Sequence, residues 1–221
     1  MPERPHALIV GAGPGLSAAV ARALAPDHDL TLVARTTDDL ADLAAETGAR
    51  TVAADASDPA AMEAVVAGCP APLRVAVYNP SARARGPITE IEPEDVRRAL
   101  EVTAFGAFVL GRLAARAMLG NAGPTKGTIL FTGASAGVKG FPRSAPFAMG
   151  KFAQRGLAQS MSRELHPQGV HVAWINVDGA IGVGPGRLHP DAIAATYRHL
   201  VDQHPSAWSE EVAVRPMDET F

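Results

Sequence analysis

The stretch His6-Ala7-Leu8-Ile9-Val10-Gly11-Ala12-Gly13-Pro14-Gly15-Leu16 decides how the chain folds. Its first five residues are an unbroken apolar run, too short for a helix and without the polar alternation of a half-buried strand. They predict a strand covered on both faces. Gly11 ends that run, and the Ala- and Leu-rich segment 16–24 predicts a helix packed on a sheet, stopped by Pro26. The same alternation continues through strand 30–34, helix 37–47, strand 51–54, helix 59–66 and strand 73–78. Pro93, after Glu92, suits the first position of a long helix reaching about Leu119, and strand 128–132 follows. A helix over 147–165, a strand over 170–175, a Gly/Pro-rich loop over 178–190, a helix over 190–203 and a short strand at 212–214 complete the series. Strands separated by helices imply right-handed crossovers and a parallel sheet covered on both faces. No repeat, low-complexity linker or composition break divides the chain. The expected architecture is α/β, a single doubly wound Rossmann-type domain over 1–221 with a central parallel β-sheet flanked by helices and a short substrate loop at 178–190.

Composition narrows the function. The 221 residues are 47% hydrophobic and 19% charged, which fits one globular core, and the net charge of −3 gives no general attraction to nucleic acid or anionic lipid. A single cysteine, Cys69, and the lack of a leader-like N-terminal pattern point to a cytoplasmic protein. The apolar run 105–119 is broken by Arg112 and Arg116, so no membrane span is expected. The seven histidines show no paired spacing with a carboxylate, so no metal is expected. His166 and His171 read as helix-end and strand-surface residues.

The glycine turn carries the first chemical signal. Following a strand and opening a helix, Gly11, Gly13, Pro14, Gly15, Leu16 and Ser17 present backbone N–H groups and the positive end of the helix to a pyrophosphate. Leu16 stands where the usual dinucleotide fingerprint has its third glycine. At the end of the second strand, where an acidic residue would hold the ribose hydroxyls of NAD, the sequence reads Ala34-Arg35. A guanidinium binds a 2′-phosphate that a carboxylate would repel, so NADP(H) is favoured over NAD(H).

These features together resemble the short-chain dehydrogenase/reductase family, over nearly the full length. The segment 11–17 is similar to that family's glycine motif. Asp55, with Ala56 after it, resembles the acidic residue beside the adenine, and Asn79-Pro80-Ser81-Ala82 resembles an altered Asn-Asn-Ala-Gly segment. Lys151 matches the catalytic lysine, and Gly179 matches the glycine of the Pro-Gly motif bordering the nicotinamide, with Ile181 close behind. The resemblance implies reduction or oxidation of a small-molecule substrate and a homodimer or homotetramer built on helices 93–119 and 147–165.

The departures from the family pattern bear on mechanism. Where the family has Tyr-x-x-x-Lys, this chain has Phe147-Ala148-Met149-Gly150-Lys151, so the phenol that exchanges the proton is missing. The supporting serine's slot holds Ala134, with Ser135 one residue later. Thr103 replaces the helix asparagine that positions a relay water, and Asp178 replaces the proline before Gly179. Three routes around the tyrosine stay open: Ser135 with a water as donor, Asp178 as a protonated acid, or an iminium substrate that needs no proton in the hydride step and is stabilised by the Asp178 carboxylate. Tyr78 and Tyr197 are the only phenols, and Ser81 and Ser144 are further candidate hydroxyls. The expected activity is NADP(H)-dependent hydride transfer to a carbonyl or imine. The alternative is a catalytically silent NADP(H)-binding protein with a sensing or partner-binding role.

Overall fold

In the computed structural model, which describes residues 4–70 and 72–218, the strands assemble as the apolar runs predict. β1 (His6–Val10), β2 (Asp29–Ala34), β3 (Arg50–Ala53), β4 (Leu73–Tyr78), β5 (Gly127–Thr132), β6 (Val170–Val177) and β7 (Glu211–Val214) form one sheet in the order β3-β2-β1-β4-β5-β6-β7. Every neighbouring pair is parallel. The chain leaves β1 toward one edge of the sheet and returns at β4 to build toward the other. That reversal opens a crevice beyond the carboxyl ends of β1 and β4.

Alternation along the strands divides the interior into two layers. Ala7 and Ile9 join one core with α1 (Leu16–Leu24) and α7 (Pro190–Asp202), while Leu8 and Val10 join the other with α3 (Pro59–Ala67), α5 (Gly106–Leu119) and α6 (Ala145–Leu165). All five residues of β1 and all eight of β6 are buried, as continuous apolar strands covered on both faces require.

The structure departs from the sequence reading in instructive ways. The helix expected over 37–47 is a short 3₁₀ turn, Asp38–Leu40, followed by α2 (Ala41–Thr47). The run expected as one helix over 93–119 consists of α4 (Pro93–Leu100), a π-helical turn at Glu101–Phe105, and α5. By length and composition this run would suffice to cross a membrane, but Ala107, Leu110 and Ala114 are buried against the sheet, as in a core helix. His171, expected on a strand surface, is fully buried, its ring nitrogens 3.1 Å and 2.9 Å from the carbonyl oxygens of Leu200 and Ser209. The Gly/Pro-rich loop after β6 is tied by two backbone bonds, Gly182 N–H to the Leu188 carbonyl and Leu188 N–H to the Ala180 carbonyl.

Candidate active site

The cleft begins at the glycine turn. Gly11 has a φ of +81°, and a Cβ there would lie 2.8 Å from the ring of Pro80, so only glycine lets the end of β1 approach the end of β4 this closely. The Asn79 side-chain amide donates to the Gly11 carbonyl at 3.2 Å and to Ser17 Oγ at 2.8 Å, and Ser17 Oγ donates to the same carbonyl at 2.8 Å. Asn79, distant in sequence, thus locks the turn together with Ser17. Above it, a Cβ placed on Gly13 or Gly15 would meet nothing within 4 Å, and no side chain caps the N-terminus of α1. The first-turn N–H groups of α1 therefore face an open space suited to a pyrophosphate.

From this turn a cleft of about 1110 Å³ runs along the carboxyl ends of β1, β4, β5 and β6. Among the residues singled out from sequence, it brings together Gly11, Gly13, Gly15, Leu16, Ser17, Asn79, Ser81, Ser135, Phe147, Lys151, Gly179 and Ile181, and Ser144 also lines it. Pro14, Arg35, Asp55, Ala56, Pro80, Thr103 and Asp178 are not in its wall. Arg35 is exposed at the end of β2, and its charge, behind two bonds from Ser57 at 2.8 Å and 2.7 Å, helps hold the Asp55 carboxyl below its usual range.

Lys151 is 2% exposed, and burial, with the Arg83 charge adding to it, pushes its pKa down to about 7. Its Nζ donates to the Thr132 carbonyl and, at 3.3 Å, to Gln154 Oε1. Gln154 is itself anchored, its amide donating to the Thr103 carbonyl at 3.3 Å, and the Thr132 hydroxyl lies 2.6 Å from Tyr197 Oη. The lysine thus sits in a polar nest built by β5, α6, α7 and the π-helical turn, with two bonds to protein and a third donor left for the cleft.

Three sequence expectations need correction. Asp178 is 2% exposed and outside the cleft wall, its Oδ2 bonded at 2.6 Å by Arg215. Burial alone would raise its pKa, but hydrogen bonds from Ser135 and Arg215 outweigh it, so the carboxyl is held ionised rather than offered as a protonated acid. Thr103 is fully buried, with its hydroxyl accepting the Ala82 N–H at 3.0 Å, so it clamps a loop instead of holding a water in the cleft. Neither phenol is available: Tyr78 bonds the Val102 carbonyl and Tyr197 lies in the core beneath Thr132, both with pKa values raised by burial. Sequence reasoning missed Gln154 and Tyr197 as lysine supports, and it missed the arginines of the far wall. Arg83 places its guanidinium carbon 4.0 Å from the centroid of the Phe147 ring. The i, i+3 spacing of Lys151 and Gln154 on one helix was the available signal for the first of these.

The comparisons with known proteins agree with this fold. The family model described as short chain dehydrogenase matches residues 5–180. The chain belongs to the short-chain dehydrogenase family. A crystal structure of a short-chain dehydrogenase from Rhodopseudomonas palustris superposes with a TM-score of 0.87 at 34% identity, covering 97% of this chain and 100% of that one. A metagenomic short-chain oxidoreductase in complex with NADP gives 0.85 at 26% identity, covering 96% and 97%. Among curated proteins, a cyclic-di-GMP-binding biofilm dispersal mediator of Escherichia coli (strain K12) is 31% identical over 191 residues, 84% of this chain and 73% of that protein. A 3-dehydrosphinganine reductase of Arabidopsis thaliana is 27% identical over 174 residues, 76% of this chain and 52% of that protein. The chain spans about half the length of the first curated relatives it matches.

Proposed function

We propose that this short-chain dehydrogenase is an NADP(H)-dependent oxidoreductase that interconverts a carbonyl compound and its alcohol. One observation carries the reading: a desolvated lysine and an uncapped, glycine-lined helix N-terminus share one cleft, so the nicotinamide ribose and the pyrophosphate of a dinucleotide have matching partners in the same cleft. The uncapped N–H groups of α1 bind the pyrophosphate, Arg35 binds the 2′-phosphate, and Lys151 binds the nicotinamide ribose. Bound in this way, the nicotinamide supplies hydride to the carbonyl carbon or takes it from the alcohol. The NADP complex of the metagenomic relative supports the cofactor assignment.

The proton balance must close without a phenol at position 147. Reduction delivers hydride to carbon and a proton to oxygen, and Phe147 can give none. Asp178 is ionised and Ser135 shares its hydroxyl with that carboxylate, so the proton comes from Lys151, whose pKa of about 7 lets it give one up near neutral pH, or from solvent in the open cleft. The iminium alternative loses its counter-ion for the same reason, because Arg215 already neutralises Asp178. Carbonyl chemistry, in which negative charge develops on oxygen beside Arg83 and Lys151, matches the charge of the wall.

The test is cofactor titration of the purified protein with NADPH and NADH, followed by turnover with aldehydes and ketones. NADPH should bind at least about tenfold more tightly than NADH, and Arg35→Asp should abolish that preference. Equal affinity for the two cofactors would contradict the assignment of Arg35. A second reading, cofactor binding without catalysis, is favoured by the missing phenol at Phe147 and by the likeness to a relative named for nucleotide binding. It predicts tight NADPH binding and no oxidation of NADPH by any substrate.

The exterior supports assembly into a homodimer or homotetramer. Phe105 and Phe108 stack with ring centroids 6.4 Å apart, and they are 46% and 46% exposed, with Met149 and Phe152 at 49% and 44% on α6. Such a cluster of large apolar side chains on two helices suits burial against a second copy.

A further inference from the structure

The far wall of the cleft has a charge that the hydride reaction alone does not require. Arg83, Arg85 and Arg143 line it together with Lys151, and no carboxylate stands among the described lining residues. This happens in a chain whose net charge is −3. None of the three guanidiniums makes an ion pair with a carboxylate among the described residues. Asp178, between the lining residues Val177 and Gly179, is paired with Arg215. An isolated guanidinium on a surface is ordinary; three converging on a cleft with no counter-charge leave a positive potential that an incoming anion would neutralise.

The way these side chains are held points the same direction. Arg83 sits over Phe147, its guanidinium carbon 4.0 Å from the ring centroid, so the ring that replaces the phenol serves as a platform for a cation. Burial, then the Arg85 charge two residues along the same loop, lowers the Arg83 pKa, as expected of like charges held close together on one wall. Arg143 has a φ of +60°, the one non-glycine residue in the left-handed region among the described residues. Its carbonyl accepts the Gly86 N–H at 3.2 Å, which joins the 82–86 and 141–144 loops and brings the arginines of both to the same opening.

We propose that the substrate of this oxidoreductase carries an anionic oxo-acid group, a carboxylate or a phosphate, and that Arg83, Arg85 and Arg143 are the residues that select it. The proposal rests on the reading of the cleft as a hydride-transfer site and adds the substrate class. A carboxylate or phosphate accepts paired hydrogen bonds from planar guanidiniums, while its carbonyl lies nearer Lys151 and Phe147. The same wall repels ammonium and iminium substrates.

Paired probes test this. The NADP⁺-loaded protein is titrated calorimetrically with acetoacetate and levulinate against their methyl esters, and with dihydroxyacetone phosphate against dihydroxyacetone. NADPH-dependent turnover of the same pairs is then measured. The charged member of at least one pair should bind about tenfold or more tightly than its neutral partner and show the higher kcat/KM. Preference confined to the carboxylates, or to the phosphate, identifies which oxo-acid the arginines accept. Arg85→Gln and Arg143→Gln should each cut that preference about tenfold, whereas Arg85→Lys should retain part of it, and NADPH affinity of each variant checks that the fold is intact. Equal binding of charged and neutral partners, or no measurable binding of any anion, overturns the proposal. Failure of NADPH to bind the unaltered protein would instead overturn the cofactor assignment, so the two failures are distinguishable.

Discussion

Lys151 places an ammonium where water cannot solvate it, and its environment sets a measurable pH dependence. Burial, then the neighbouring Arg83 charge, lowers its pKa to about 7, whereas in the unfolded chain it titrates in the ordinary lysine range. Between about pH 7 and that ordinary value the unfolded chain binds more protons than the folded one, so stability contributed through this group rises with pH, by up to about 1.4 kcal/mol per unit. Below pH 7 both states are protonated and the full cost of burying the charge applies. Urea unfolding of the cofactor-free protein at a series of pH values above 7 should show this rise, and Lys151→Met should flatten it. A flat profile in the unaltered protein would mean that the lysine is better solvated than its position implies. Phe147 makes a second residue-scale prediction. Phe147→Tyr puts a phenol in the cleft with Lys151 and supplies an acid, so carbonyl turnover should increase about tenfold or more. No gain would show that Lys151 or solvent already delivers the proton without limiting the rate.

At the level of elements, the join between the π-helical turn and α6 positions the lysine. A Cβ on Gly150 would sit 2.8 Å from Thr103 Cβ, so α6 approaches the turn only because position 150 lacks a side chain. Gly150→Ala should destabilise the protein by about 1–3 kcal/mol, read by denaturant midpoint, and should weaken NADPH binding because Gln154 and Lys151 move with the helix. The glycine turn, the alternation of strands and helices, and the lysine were legible in sequence because they depend on local pattern: an apolar run ending in glycines, a proline at a helix start, a fixed spacing. Thr103 and Asp178 were misread because their partners, Ala82 and Arg215, lie 21 and 37 residues away, and no periodicity announces such bonds. The arginine wall was missed because its members belong to two irregular loops, far apart in sequence, that are joined through the Gly86–Arg143 bond. The π-helical turn escaped notice because its sequence, Glu101-Val102-Thr103-Ala104-Phe105, fits an ordinary helix equally well.

The whole molecule separates its functions by face. Two apolar layers hold the sheet, the carboxyl ends of the central strands carry the cleft, and α5 and α6 expose aromatic side chains on the outside. Replacing the exposed aromatics with charge, as in Phe108→Asp combined with Phe152→Glu, should convert the proposed assembly to monomers by light scattering. An unaltered protein that is already monomeric would remove that surface from the account. The positive cleft in an acidic chain has a further consequence at this scale. Association of NADPH should slow as ionic strength rises, by several-fold between low and physiological salt, since the attraction is partly screened. A rate independent of salt would argue that the cleft's charge is neutralised from within.

The most direct test of hydride transfer at this cleft is a single-turnover experiment. Protein preloaded with NADPH is mixed with a panel of aldehydes and ketones, charged and uncharged, and nicotinamide absorbance is followed alongside alcohol formation. The account predicts that NADPH is consumed in step with alcohol produced and that NADH substitutes poorly. NADPH bound tightly but left unoxidised by every carbonyl in the panel would contradict it, and would make this member of the family a cofactor-binding protein without catalysis.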